Sequence, residues 1–399
     1  MGSTAWNGDG LARLEAVLAR HVELDSAEGL AWLVARHGEV HAGAAGVLER
    51  GGDAPAARDS IFRVSSMTKP VTAVAALTLV EECRLGLDDP VAEWLPELAE
   101  PRVLADPSGP LDDTVPAHRP ITVRDVLTFR MGTGMDFAGP WPQTVLTAGA
   151  EAGLGAGPPA PAELPDPDEW MRRFAAIPLA RQPGERWLYH TSAQVLGVLV
   201  ARVAGQPLDE VMTERIFEPL GMADTGFSVP PASIARFGAC HTVDPETGEV
   251  TVYDPPDGQW ASPPAFPGGG DGLVSTVDDW LAFADMLRSG GTGGGRRILS
   301  RPTVEAMTTN QLTPEQLATG PDPAGTQGWG LGTGVVLART GTTHAVGSYG
   351  WEGGLGSTWA NDPVEDVIGV LLTTRTWSSP QPAAVTRDFW TATYAAVGD

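Results

Sequence analysis

Apolar positions along the chain fall into two rhythms. Leu11, Leu14, Val17, Leu18 and His21 recur at helical spacing, so residues 11–24 predict an amphipathic opening helix. Leu30 to Val47 is apolar apart from the break at Arg36-His37-Gly38-Glu39, which predicts a β-hairpin. Ile61 to Val64 predicts a short strand. Ser65-Ser66 then opens a long apolar helix through Val71, Val74, Leu77 and Val80, with its stop near Arg84-Leu85-Gly86.

Through the middle, residues 121–131, 168–177, 193–203 and 208–216 read as helices. The links at 101–120 and 138–167 are rich in Pro, Gly and Ala and predict surface lids or the rim of a pocket rather than core. Beyond Asp257, helices are predicted at 277–287 and 302–309, and strands at 331–338, 342–349, 355–360 and 367–374. A terminal helix follows at 383–396. Hairpin-connected strands at both ends of the chain predict a mixed α/β fold of the α+β type. In it an antiparallel sheet flanked by helices carries an inserted, mostly helical subdomain. The expected division is residues 1–85 and 257–399 for the sheet domain and 86–256 for the helical one. No internal repeat is visible.

Composition narrows the function. A chain of 399 residues buries a substantial core. Its formal charge of -24 argues against nucleic-acid and anionic-membrane partners, which require a basic footprint. Cys83 and Cys240 are too few for a disulfide framework and fit two reduced thiols. The start, Met1-Gly2-Ser3-Thr4-Ala5-Trp6, lacks the basic and apolar regions of a secretory leader. No apolar window reaches the roughly 18 residues that a membrane span needs. A cytoplasmic protein is expected, with no metal site and no cofactor.

All but one of the 26 basic residues are arginine, and the exception is Lys69. A lone ammonium in an arginine-using chain points to chemistry a guanidinium cannot perform, namely losing a proton near neutral pH. Ser66-Met67-Thr68-Lys69 sets that residue three positions after a serine at the mouth of a predicted helix. Such spacing puts both side chains on one face, within mutual reach. The helix N-terminus favours negative charge developing on the serine oxygen. A desolvated lysine can lose its proton and then accept one from the hydroxyl. Ser66 and Lys69 are therefore a candidate nucleophile and its activating partner.

Phe62-Arg63-Val64-Ser65-Ser66-Met67-Thr68-Lys69 resembles the active-site helix start of the serine β-lactamase and penicillin-binding-protein superfamily. The likeness is greatest to class C β-lactamases and family VIII carboxylesterases. Residues 121–128, Gln182-Pro183-Gly184-Glu185-Arg186-Trp187-Leu188-Tyr189-His190-Thr191, 217–225 and 268–276 are similar to family segments in the same order, so the resemblance covers most of residues 25–395. It implies an active site in the groove between an α/β domain and a helical domain, with Tyr189 as third catalytic group. A phenol beside an ammonium is expected to have its pKa lowered, which leaves either Tyr189 or Lys69 as the resting base. Where the family usually reads Tyr-x-Asn, this chain has Thr191, which lacks a carboxamide's paired donor and acceptor. His190 is a base by type, but adjacent residues of an extended segment face opposite ways.

The lactamase Lys-Thr-Gly strand motif has no counterpart lysine here. Trp351-Glu352-Gly353-Gly354 is similar to the Trp-x-Gly version of family VIII esterases. By that resemblance the backbone N–H groups of Ser66 and Gly354 form the oxyanion hole. Trp351 walls the acyl pocket, and Trp351, Gly353, Thr191 and His190 contact substrate. His344 is expected to be structural. The absence of G-x-S-x-G excludes an α/β-hydrolase elbow, and Gly290 to Gly295 lacks the Lys-Ser/Thr of a phosphate loop. The leading expectation is a serine esterase for small to medium acyl esters. A β-lactamase or D-aminoacyl peptidase is the alternative, in which Arg339 or Arg375 would have to supply the missing cation. An acyltransferase passing the acyl group to an alcohol is another. A non-catalytic scaffold would not need Ser66, Lys69 and Tyr189 together.

Overall fold

The computed structural model describes residues 5–155, 157–322, 324–379 and 382–398. Met1 to Thr4, part of the expected leaderless start, lie outside them. Seven strands form one antiparallel sheet: β1 (Gly29–Arg36), β2 (Glu39–Gly46), β3 (Gln327–Trp329), β4 (Gly334–Val336), β5 (Tyr349–Gly353), β6 (Ser357–Asp362) and β7 (Val367–Thr373). Their spatial order is β3-β4-β5-β6-β7-β1-β2. The first hairpin therefore pairs with the last strand of the chain, with Leu33 opposite Ala42 on one side and Val370 on the other.

Helices cover both faces of this sheet, which is why β1 is apolar without alternation. Leu30, Trp32 and Val34 pack on Leu14 and Leu18 of α1 (Gly8–Glu23) and on Phe389 of the terminal helix Ala384–Ala395. Ala31, Leu33 and Ala35 face the other way, into the main core. That core holds α2 (Thr68–Glu81), buried at every position from Thr68 to Leu79 and so almost wholly apolar. Against α2 packs α3 (Thr191–Ala204). The mixed fold of antiparallel sheet and helices is as the sequence predicts.

Several local expectations need correction. The helix expected over 121–131 is only Val123–Leu127; a capping box at Thr122 starts it and Phe129, at φ 58°, follows its end. The strand expected at 342–349 is irregular, since His344 and Gly347 take positive φ, and extended pairing begins only at Tyr349. The Pro/Gly/Ala-rich links are not purely surface. Val145 and Ala148, on a helix Thr144–Glu151, are buried, and so are Leu154, Val103 and Leu104. Among the described residues no helix is long and apolar enough to cross a membrane, and no side-chain cluster could hold a metal ion. Both cysteines are free.

Candidate active site

Residues 65–67 form a single 3-10 turn that leads directly into α2. Ser65 enters it at φ 46°, an uncommon conformation for a non-glycine residue, immediately before Ser66. The end of β5 presses on this turn. A Cβ at Gly353 would sit 2.3 Å from Val64 O and 3.2 Å from Ser65 Cβ, so only glycine allows the approach. Ser357 Oγ donates to Val64 O at 2.8 Å and pins the same contact. Gly354, the next residue, is exposed and its carbonyl accepts from Trp377 N at 2.8 Å.

Lys69 is 1% exposed. Its Nζ donates to Ser66 Oγ at 2.9 Å and to Gly270 O at 2.7 Å, and lies 3.3 Å from His190 Nδ1. The loop carrying Gly270 is held against α2, since Thr72 Oγ1 donates to Gly269 O at 2.7 Å. A Cβ at Gly269 would meet Ala193 O at 2.7 Å, so a glycine is required where α2, α3 and this loop converge. Burial pushes the Lys69 ammonium down to about 7, and the nearby Asp271 carboxylate offsets part of that shift. The amine can therefore gain or lose its proton near neutral pH.

Tyr189 lies in an extended segment bridged to Met135, with backbone hydrogen bonds of 2.8 and 2.9 Å in the two directions. Trp351 Nε1 donates to its hydroxyl at 2.7 Å, and Ser66 is a further hydrogen-bond partner. The ring face lies 4.8 Å from Lys69 Nζ, and an aromatic cluster of Phe129, Trp187, Trp329 and Trp351 holds it. Burial raises the phenol above its ordinary value despite hydrogen bonds to Ser66 and Trp351. This corrects the expectation of a lowered phenol: between the two candidate resting bases, Lys69 is the one that titrates near neutrality.

His190 joins the site rather than facing away. Its φ and ψ of 80° and -64°, with Thr191 N donating to Tyr189 O at 3.2 Å, form a classic γ-turn. The fold back brings the side chains of Tyr189 and His190 both onto Lys69, which the simple alternation rule does not allow for. Thr191 is half-buried and, with His190, Thr133, Leu146, Leu154 and Phe174, lines a small cavity of about 40 Å³. Arg375 is buried on Glu28, and Arg339 pairs with Glu365 at 3.8 Å, so both candidate cations are engaged elsewhere. His344 packs edge-on to Trp390 at 4.4 Å, in the structural place expected of it.

Sequence reasoning missed three groups at the site. Gln194 lies in the first turn of α3, just past the γ-turn at His190. Asp271 follows the three glycines already noted as family-like. Glu352, between Trp351 and Gly353, has a carboxyl pushed up to about 7 by burial.

The beta-lactamase family model matches residues 14–389. Esterase EstB of Burkholderia gladioli is 33% identical over 91% of this chain and 90% of its own length. Lovastatin esterase of Penicillium rubens is 32% identical over 79% and 80%. Among solved structures, EstCE1, described as a hydrolase with promiscuous acyltransferase activity, superposes with a TM-score of 0.79 at 26% identity, covering 97% of this chain and 99% of its own. An intact serine–lysine pair on this fold, together with esterase relatives aligned over most of their length, identifies the chain as a serine hydrolase of the beta-lactamase family.

Proposed function

We propose that the protein is an esterase for small to medium, uncharged acyl esters, working through an acyl-enzyme on Ser66. The observation that carries this reading is the buried Lys69 amine, 2.9 Å from Ser66 Oγ and poised near neutral pKa. Neutral Lys69 takes the Ser66 proton as Oγ attacks the ester carbonyl. The backbone N–H groups of Ser66 and Gly354 receive the developing oxyanion. Tyr189, hydrogen-bonded to Ser66 and held by Trp351, passes a proton to the departing alkoxide and is restored from Lys69. Water then repeats the sequence on the acyl-enzyme.

The character of the strand end favours esters over β-lactams. Trp351 and Glu352 stand in the segment where a lactamase carries a cation, and neither an indole nor a carboxyl can pair with a substrate carboxylate as that cation does. The test is kcat/KM for p-nitrophenyl butyrate against nitrocefin on one preparation, with mass spectrometry for an acyl adduct on Ser66. A preference for the ester by two orders of magnitude or more is expected, because each absent polar contact costs roughly 1.5–3 kcal/mol. Equal values would overturn the reading. Acyl transfer is a second outcome of the same intermediate, supported by the likeness to EstCE1. It would appear as ester product when a competing alcohol is added.

A further inference from the structure

Lys69 Nζ has three polar neighbours: Gly270 O at 2.7 Å, Ser66 Oγ at 2.9 Å and His190 Nδ1 at 3.3 Å. A neutral amine offers two N–H groups and one lone pair. Gly270 O can only accept, so it takes one N–H. The remaining two directions are shared between His190 and Ser66. If Nδ1 is unprotonated it takes the second N–H, and the lone pair is left for the Ser66 hydroxyl. If Nδ1 carried the proton, the lone pair would be drawn to His190 and Ser66 would lose its acceptor.

The surroundings select the first arrangement. Nε2 of His190 faces Asp271 Oδ2 at 3.7 Å, too long for a direct hydrogen bond but enough to favour the proton on that edge. Asp271 is oriented in turn, since Gln194 Nε2 donates to its Oδ1 at 3.0 Å. Gln194 Oε1 accepts from Gly270 N at 3.1 Å. The contacts close a ring from Lys69 through His190, Asp271, Gln194 and Gly270 back to Lys69. Burial and the adjacent Lys69 hold the imidazole neutral, so it stays an acceptor toward the amine. The γ-turn at His190 is a strained conformation, and strain of this kind concentrates at functional sites.

We infer that His190 is a positioning residue. Its unprotonated Nδ1, set by Asp271 on the opposite ring edge, takes one N–H of Lys69 and thereby aims the lone pair of the amine at the Ser66 hydroxyl. This rests on Lys69 being the base of the proposed esterase. The titratable groups facing Lys69 are Ser66 in the turn before its helix, Tyr189 and His190 on the bridged segment, and Asp271 on the glycine loop; Glu352 acts on Tyr189 from β5.

Two isosteric variants of the full chain test it with p-nitrophenyl butyrate. In His190→Asn the amide oxygen occupies the place of Nδ1 and still accepts; His190→Phe keeps a planar ring without an acceptor. His190→Phe is expected to lose about 30- to 300-fold in kcat with KM within about threefold, because general-base assistance is misaligned rather than removed. His190→Asn should stay within about fivefold of the unaltered enzyme. Equal losses in both variants, or no loss in either, overturn the inference. Should His190→Phe fail to fold, Gln194→Met frees Asp271 from a distance, and an unchanged kcat there overturns it equally. Lys69→Ala is the control: near-normal turnover in that variant refutes the base assignment itself, whereas an inactive Lys69→Ala beside a normal His190→Phe refutes only the positioning role.

Discussion

Two cations are buried within one short stretch of this chain, and they are treated in opposite ways. Arg63, 4% exposed, sits in the strand before the nucleophile turn. Its guanidinium donates twice to Asp254, to Gly238 O at 2.6 Å and to Pro255 O at 3.1 Å, and lies 4.0 Å above the Phe237 ring. Lys69, 1% exposed, has no carboxylate in direct contact among the described residues; Asp271 acts on it only through space. Burial lowers the pKa of both. Arginine cannot respond by deprotonating, so the fold must supply a counter-charge and donor-matched partners. Lysine can respond, and on the proposed mechanism the withheld counter-charge is what lets a buried cation serve as a base. Pairing, rather than burial, distinguishes the structural site from the chemical one.

The sharpest way to break this comparison is to exchange the cation types. Lys69→Arg keeps the charge that the chain uses everywhere else but cannot release a proton. It should lose about a thousandfold or more in kcat/KM for p-nitrophenyl butyrate at pH 7.5, nearly as much as Lys69→Ala. Activity within about tenfold of normal would mean that charge alone suffices. The mirror experiment is Arg63→Met, which strands Asp254 in the interior without its partner. A destabilisation of about 3–5 kcal/mol is expected by chemical denaturation, since removing one member of a buried pair leaves an uncompensated charge.

Lys69→Met should do the reverse and stabilise an inactive protein under mildly acidic conditions. Below about pH 7 the ammonium is present in both folded and unfolded chains, so its full desolvation cost opposes folding. Between that value and the ordinary lysine range the unfolded chain still binds the proton while the folded one does not. Stability of the unaltered protein therefore rises with pH across this window. The variant lacks that dependence. Its advantage, about 2 kcal/mol at pH 6 after the lost hydrogen bond to Gly270 O is deducted, should shrink toward pH 9. A pH-independent difference in denaturation midpoint would show that Lys69 is not desolvated in the folded state.

What the sequence reveals of this site follows from how local each cause is. The first hairpin and the strand–Ser66–helix unit are legible because apolar periodicity and turn residues act over a few positions. The lone Lys69 is legible because composition alone isolates it. The strand expected at 342–349 rests on two threonines and a valine that suggest extended chain, but His344 and Gly347 take positive φ, which no periodicity of side chains encodes. The helix Thr144–Glu151 hides inside a Pro/Gly/Ala-rich link, and only the buried faces of Val145 and Ala148 justify it. The ring through His190, Gln194 and Asp271 depends on a γ-turn and on a loop about eighty residues further along the chain.

The smallest effect expected is also the most discriminating for the electrostatics of Lys69. Asp271 lies 3.7 Å from His190 and its charge favours the ammonium form of Lys69, partly countering burial. Replacing it with asparagine keeps the shape and the contact with Gln194 but removes the charge. The ammonium then loses stabilisation and the Lys69 pKa falls. Because the proposed mechanism requires the neutral amine, kcat/KM should rise as pH increases through that pKa, and its acid limb should move to lower pH in Asp271→Asn, by about half to one unit. The plateau above the limb should fall as well, since an amide can place its NH2 group toward His190 Nε2 and loosen the tautomer that orients Lys69. The two effects separate in a profile from pH 5 to 9 measured with p-nitrophenyl butyrate and corrected for spontaneous hydrolysis. A limb that stays in place would mean that burial itself, which raises the Asp271 pKa, keeps this carboxyl protonated in the free enzyme. Lys69 would then be tuned by desolvation alone, and the contrast with the fully paired Arg63 would become complete.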